Sequence, residues 1–181
     1  MVRKLPEVLM ENLGVKPSNS KIDSLIGLNM VNMNFYPTCP NSELTVGMGC
    51  RSDISAIIVL LQDGIGRLYV KVEEDIEDVG KKGEWMEISP IYSALVINVG
   101  DALQGCSKSV EHRVRTTSNK SIVSISVFTM PKPTEKIGPL PELVERDGAQ
   151  FRELIFQDYM SNFFSNAQDG KKSLHFAQVN N

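Results

Sequence analysis

Apolar residues recur along this chain with two different periods, and the change between them divides it. Near the start, Val8, Leu9 and Leu13 fall at helical spacing and stop before Gly14, a residue suited to the left-handed turn that ends a helix. Pro6 belongs in the first turn of such a helix rather than its interior. From about Val31 to Met130 the pattern shortens to β-rich runs: Ile54 to Leu61, Arg67 to Val72, Trp85 to Ile88, Ala94 to Val99, Val110 to Val114 and Ile122 to Phe128. Gly, Asp, Asn, Lys or Pro separates them, and short strands at such regular spacing predict a sandwich or barrel. Pro131 and Pro133 open a proline-punctuated linker. Beyond it Phe151, Leu154, Ile155, Tyr159 and Phe163 mark one side of an amphipathic helix over roughly 149–166. The polar tail from Gln168 onward is expected to fray.

Composition narrows the classes open to such a chain. Its 181 residues suit one domain, long enough to bury about two-thirds of the surface its unfolded form exposes. A net charge of −3 without any basic cluster argues against nucleic-acid binding. No apolar run is long enough for a membrane helix, and the first residues lack the apolar stretch of a signal peptide. Cys39, Cys50 and Cys106 form no close-spaced metal motif and leave one cysteine over in any disulfide scheme, so a reducing cytosol is expected.

Candidate chemistry lies in a series of short motifs. They are Asn34-Phe35-Tyr36-Pro37-Thr38-Cys39-Pro40, Leu44-Thr45-Val46-Gly47, Ser52-Asp53, Leu60-Leu61-Gln62-Asp63, Asn98-Val99-Gly100-Asp101 and Lys108-Ser109-Val110-Glu111-His112-Arg113-Val114. In this order they resemble the catalytic half of plant iron(II)/2-oxoglutarate-dependent dioxygenases. Gly138-Pro139-Leu140-Pro141-Glu142 and Asp169-Gly170-Lys171-Lys172 look most like the branch that ortho-hydroxylates feruloyl-CoA or hydroxylates coumarins. The resemblance covers almost the whole chain. It implies a mainly β fold, a distorted double-stranded β-helix or jelly roll, with flanking N- and C-terminal helices. It also implies a helical remnant at 1–30, a jelly-roll core at 31–133, and a linker, helix and tail at 134–181. The cofactors it implies are Fe(II), 2-oxoglutarate and ascorbate, and the partner is a small aromatic substrate. Members of the family are about twice as long, and Met1-Val2-Arg3-Lys4 aligns with the middle of a family helix. A missing N-terminal half is therefore expected, with self-association through the surface it leaves uncovered.

Such enzymes hold iron with His-x-Asp and a distant second His, the two-histidine, one-carboxylate arrangement that leaves positions open for cosubstrate and oxygen. By resemblance Asp53 and His112 are metal ligands, and the third ligand position is Arg51. Guanidinium has donors only and keeps its proton, so it cannot coordinate iron. At about 4 Å and an effective dielectric near 20, a monocation beside a dication costs roughly 8 kcal/mol, which favours an Arg51–Asp53 contact instead. The family's Arg-x-Ser pair and a tyrosine bind 2-oxoglutarate; here Tyr36 and Ser124 match, but Ile122 occupies the arginine position. Losing that charge-assisted bond weakens the cosubstrate by roughly tenfold to several-thousandfold. Finally, Gly105-Cys106-Ser107 replaces a longer family turn by about four fewer residues, an even-numbered loss that leaves His112 facing inward, though shifted.

Each residue also has an ordinary structural role open to it. His112 fits a plain strand histidine, Asp53 a strand-end aspartate, Tyr36 a packing aromatic beside Pro37, and Ser124 a strand serine. Arg113 and Arg115 read as a solvated edge, and His175 sits in the polar tail, too remote to replace the lost ligand. Cys50 faces the opposite side of a strand from Arg51. The expected function is thus a hydroxylase of phenylpropanoid or coumarin-type aromatics whose activity is lost or much weakened. The alternative is a non-catalytic module binding a small molecule or a partner on the same fold, and a third reading is a product that does not fold alone.

Overall fold

The computed structural model describes residues 3–16, 18–75, 81–103, 107–166 and 172–179. Two helices come first, α1 (Lys4–Asn12) and α2 (Asn19–Leu25). Gly14 takes φ 78° just beyond α1, and its N–H returns to Glu11 O at 2.9 Å, the helix stop that its sequence position predicts. Ser18 caps α2 by accepting the Lys21 N–H.

Eight strands then alternate between two sheets, except that β4 and β5 follow one another as a hairpin in one of them. They are β1 (Leu28–Tyr36), β2 (Val46–Arg51), β3 (Ile57–Gln62), β4 (Leu68–Lys71), β5 (Trp85–Ile88), β6 (Val96–Val99), β7 (His112–Arg115) and β8 (Ile122–Met130). One four-stranded sheet runs β1-β8-β3-β6 and the other β2-β7-β4-β5, with every pairing antiparallel. This alternation is the expected jelly roll. The expected strand at Trp85 to Ile88 matches end for end, and the other five differ by one to three residues at an end.

Asp63 shows how one motif serves the fold. Its carboxylate accepts the Ile65 N–H at 3.0 Å and the Val123 N–H at 2.5 Å, closing its own turn and tying it to the start of β8.

Apolar side chains collect in two places. Met10, Ile22 and Leu25 from the helices pack with Ile57, Val59 and Leu103 against the outer face of the first sheet. Ile58, Leu68 and Ile122 are also buried, but they stand apart from that core and line the space between the sheets. The outer face continues beyond its helical cover. Cross-strand register puts Met33, Phe35, Leu61 and Val123 on that side, and all four are exposed, Met33 at 79% and Phe35 at 66%.

The last third differs from its sequence reading. The helix expected over 149–166 is shorter, α4 (Phe156–Ser165), because Leu154–Ile155 forms β10 against β9 (Lys136–Ile137) and Phe151 bridges Gln178. The linker holds a further helix, α3 (Pro141–Asp147), opened by Pro141. Nor does the whole tail fray: Leu174 and Ala177 are buried in a 3₁₀ turn over Lys172–Ala177, because they complete the apolar surface under α4. Residues 167–171 lie outside the described residues. Arg113 is not a solvated edge either. Its guanidinium stacks 4.1 Å above the ring of Trp85, reaching across β4, the strand that lies between β7 and β5. Arg115 pairs with the exposed Glu43 at 3.3 Å. Among the described residues, no helix is long and apolar enough to cross a membrane.

Candidate functional site

Between the sheets lies a cavity of about 380 Å³, and the residues at the expected metal and cosubstrate positions all line it: Tyr36, Arg51, Asp53, His112, Ile122 and Ser124. Two rows of the first sheet supply one wall. There Tyr36 pairs with Ile122 and Asn34 with Ser124 across the β1–β8 ladder, and Asn34 donates to the Ser124 hydroxyl at 3.4 Å. Burial raises the Tyr36 phenol above its ordinary value, and the nearby charge of Arg51 pulls it back in part. The Tyr36 ring also explains Gly47, where a Cβ would stand 2.7 Å from Cδ1 of that ring.

The second sheet supplies the other end. Arg51 and His112 are directly paired across β2 and β7, but the register slips between Met48 and Arg51. That bulge inserts an extra residue on β2, so Met48 and Arg51 both reach the cavity although three positions apart. Sequence alternation alone does not reveal it. Arg51 rather than Cys50 lines the cavity. The Arg51 Nε makes one long hydrogen bond, 3.4 Å to Gly49 O.

The expected Arg51–Asp53 contact is not formed. The Asp53 carboxylate is already engaged, accepting from Asn98 Nδ2 at 2.9 Å and lying 3.5 Å from His112 Nε2. His112 does face inward and is 7% exposed. The shortened turn before it falls partly at 104–106, outside the described residues.

A buried network behind the site was not foreseen. Asp101, 3% exposed, accepts hydrogen bonds from Ser109 at 2.6 Å, Tyr159 at 2.8 Å and Ser52 at 2.9 Å. Its own N–H donates to Asp53 O at 2.7 Å. Burial pushes the Asp101 carboxyl up, outweighing the three hydroxyls that stabilise its ionised form. Burial and then the charge of Asp101 push the Tyr159 phenol up as well. Gly100 belongs to the same contact, since a Cβ there would collide with Ser55 O and stand 2.8 Å from Asp53 O. The motif Asn98-Val99-Gly100-Asp101 carries the signal, but the sequence does not show that its partners are Ser52, Ser109 and Tyr159.

A sequence model of the 2OG-Fe(II) oxygenase superfamily matches residues 27–131, the span of the eight strands. The chain belongs to this superfamily. Among curated relatives, the 2OG-Fe(II) oxygenase chain is 55% identical over 184 residues to scopoletin 8-hydroxylase of Arabidopsis thaliana, covering 99% of this chain and 49% of that protein. It is 43% identical over 187 residues to a feruloyl CoA ortho-hydroxylase of Ipomoea batatas, covering 99% of this chain and 50% of that protein. The chain thus spans about half the length of the curated relatives it matches. Among solved structures it resembles JOX2, crystallised in complex with 2OG, Fe and JA, with a TM-score of 0.84, 29% identity and coverage of 98% of this chain and 52% of that one.

The residues present do not fit the superfamily's iron. Asp53 and His112 offer one oxygen and one nitrogen, and Arg51, opposite His112, is a cation without a lone pair. Among the described residues, no group of three or more His, Cys, Asp or Glu side chains is placed to hold a metal ion.

Proposed function

We propose that this chain keeps the dioxygenase fold and its cavity while iron- and 2-oxoglutarate-dependent hydroxylation is lost or much weakened. The observation that carries the reading is Arg51, set across from His112 where a third ligand would stand. Ile122 supports it, being buried and apolar in the row beside Tyr36 where the cosubstrate arginine is expected. The names of the relatives support a coumarin or phenylpropanoid aromatic as the molecule that the cavity takes.

Succinate formation from 2-oxoglutarate, with added iron(II) and ascorbate, tests the reading. The chain as given is expected to be silent and an Arg51→His, Ile122→Arg double variant active. Turnover by the unmodified chain overturns the proposal. Silence in both shifts the cause from these two residues to the rest of the fold.

A non-catalytic binding module is the second reading, favoured by the cavity of about 380 Å³ that persists without a complete ligand set. Self-association through the exposed strip of Met33, Phe35, Leu61 and Val123 belongs with it. The division into a helical segment at 1–30, a jelly roll at 31–133 and a C-terminal portion at 134–181 stays part of this proposal. So does a cytosolic location, supported by the cysteine pattern.

A further inference from the structure

We propose that Arg51 makes the cavity a metal-free site for an aromatic monocarboxylate, with the guanidinium, rather than an ion, holding the acid group. The inference rests on the preceding reading, because a bound iron would claim the same space.

Unused donors point to an acid. Of the five N–H groups on Arg51, the structure engages only Nε, through the 3.4 Å contact to Gly49 O. The neighbouring carboxylate makes no ion pair with it, since Asp53 is turned to Asn98 and His112. Among the described residues, the Tyr36 hydroxyl that shares the cavity and feels the charge of Arg51 also has no hydrogen-bond partner. A partly desolvated guanidinium fork beside a phenol O–H is short of acceptors, and a carboxylate supplies two oxygens in a plane that matches the fork.

The walls select the remainder of the ligand. Leu60, Val114, Phe128 and Phe163 face the same space from two sheets and α4, apolar surface suited to a flat ring. They also select against a second charge. Ile122 is apolar and buried, and Asp53 repels another anion, so a dicarboxylate such as 2-oxoglutarate would leave one end without a cation. A volume near 380 Å³ suits a ring with a short acyl arm.

Calorimetric titration of the full chain in EDTA, with cinnamate as the probe, tests this. Cinnamate is expected to bind without metal, and its neutral amide, cinnamamide, about tenfold or more weaker. Arg51→Gln is expected to bring cinnamate down to the level of the amide, while Arg51→Lys retains part of the difference. 2-Oxoglutarate is expected to bind more weakly than cinnamate and to gain on Ile122→Arg. Equal affinity for acid and amide overturns the inference, as does binding that appears only on adding iron(II), no binding of cinnamate at all, or tighter binding of 2-oxoglutarate. Should Arg51→Gln fail to fold, the comparison of acid with amide on the unmodified chain still decides. Succinate formation by that chain sinks the earlier reading whatever cinnamate does, so the two failures are distinguishable.

Discussion

Arg51 and His112 sit directly opposite each other on β2 and β7, so a permanent cation and an imidazole project into one cavity. The pairing is a property of the ladder and its bulge, not of the charges. Arg51→His would therefore present a second imidazole beside His112 with Asp53 next to them. The single variant is expected to bind cobalt(II), used as a spectroscopic stand-in for iron, about a hundredfold or more tightly than the unmodified chain, given that changes outside a ligand shell already cost 10- to 100-fold. Equal affinity in an absorption titration would show that the third position is not at residue 51.

Asp101 gives the stability a pH dependence. Its native pKa is raised above the unfolded value of about 3.9, so the native state binds more protons between the two values. The contribution is fully present below the unfolded pKa and is lost as pH rises through the native one. Denaturant midpoints are expected to fall across that window, and Asp101→Asn should flatten the slope. At neutral pH, Asp101→Ala is expected to cost on the order of 3 kcal/mol, because Ser52, Ser109 and Tyr159 lose their common acceptor. A loss below about 1 kcal/mol would contradict the network.

Two glycines near the site should behave in opposite ways. Gly100→Ala drives a methyl into backbone oxygens of Asp53 and Ser55, neither of which can swing aside, and is expected to destabilise by about 3 kcal/mol. Gly49→Ala meets open space and should stay within about 0.5 kcal/mol of the original. Thermal melting of the two variants side by side checks the contrast, and equal effects would refute it.

The uncovered outer strip predicts concentration-dependent association. Sedimentation velocity of the chain as given is expected to show species larger than a monomer, and a Met33→Lys, Phe35→Lys variant to shift the population toward monomer. Both side chains are exposed, beyond the helices that cover the rest of that face, so its melting temperature should hardly change. A monomer at all concentrations for both proteins would dismiss the strip as an interface.

Much of the jelly roll is legible in the sequence because short strands there alternate cleanly between punctuating residues, as at Trp85 to Ile88. The C-terminal region is not. Phe151, Leu154 and Ile155 are apolar at helical spacing, yet β9 and Gln178 capture them as extended chain, a tertiary choice that periodicity does not encode. Motif order shows which residues meet, since Tyr36, Asp53, His112 and Ser124 do line one cavity. It does not show how they are partnered. The Arg51–Asp53 pair fails because Asn98, from a distant strand, reaches Asp53 instead. Arg113 looks exposed by composition, and only the order of strands in the sheet, with β4 alone between β7 and β5, brings Trp85 beneath it.

The short path from Asp53 through Asp101 to Tyr159 separates two kinds of constraint that a motif scan merges. Ser52, Gly100, Asp101 and Ser109 all lie within the recognisable motifs, yet what they do is let β6 close against the Asp53 loop and anchor α4 behind it. A descendant that had abandoned oxidation altogether would still be held to these residues by the need to stay folded. Their presence in a chain certifies an intact scaffold, whereas the capacity for oxidation depends on the few side chains that face the cavity.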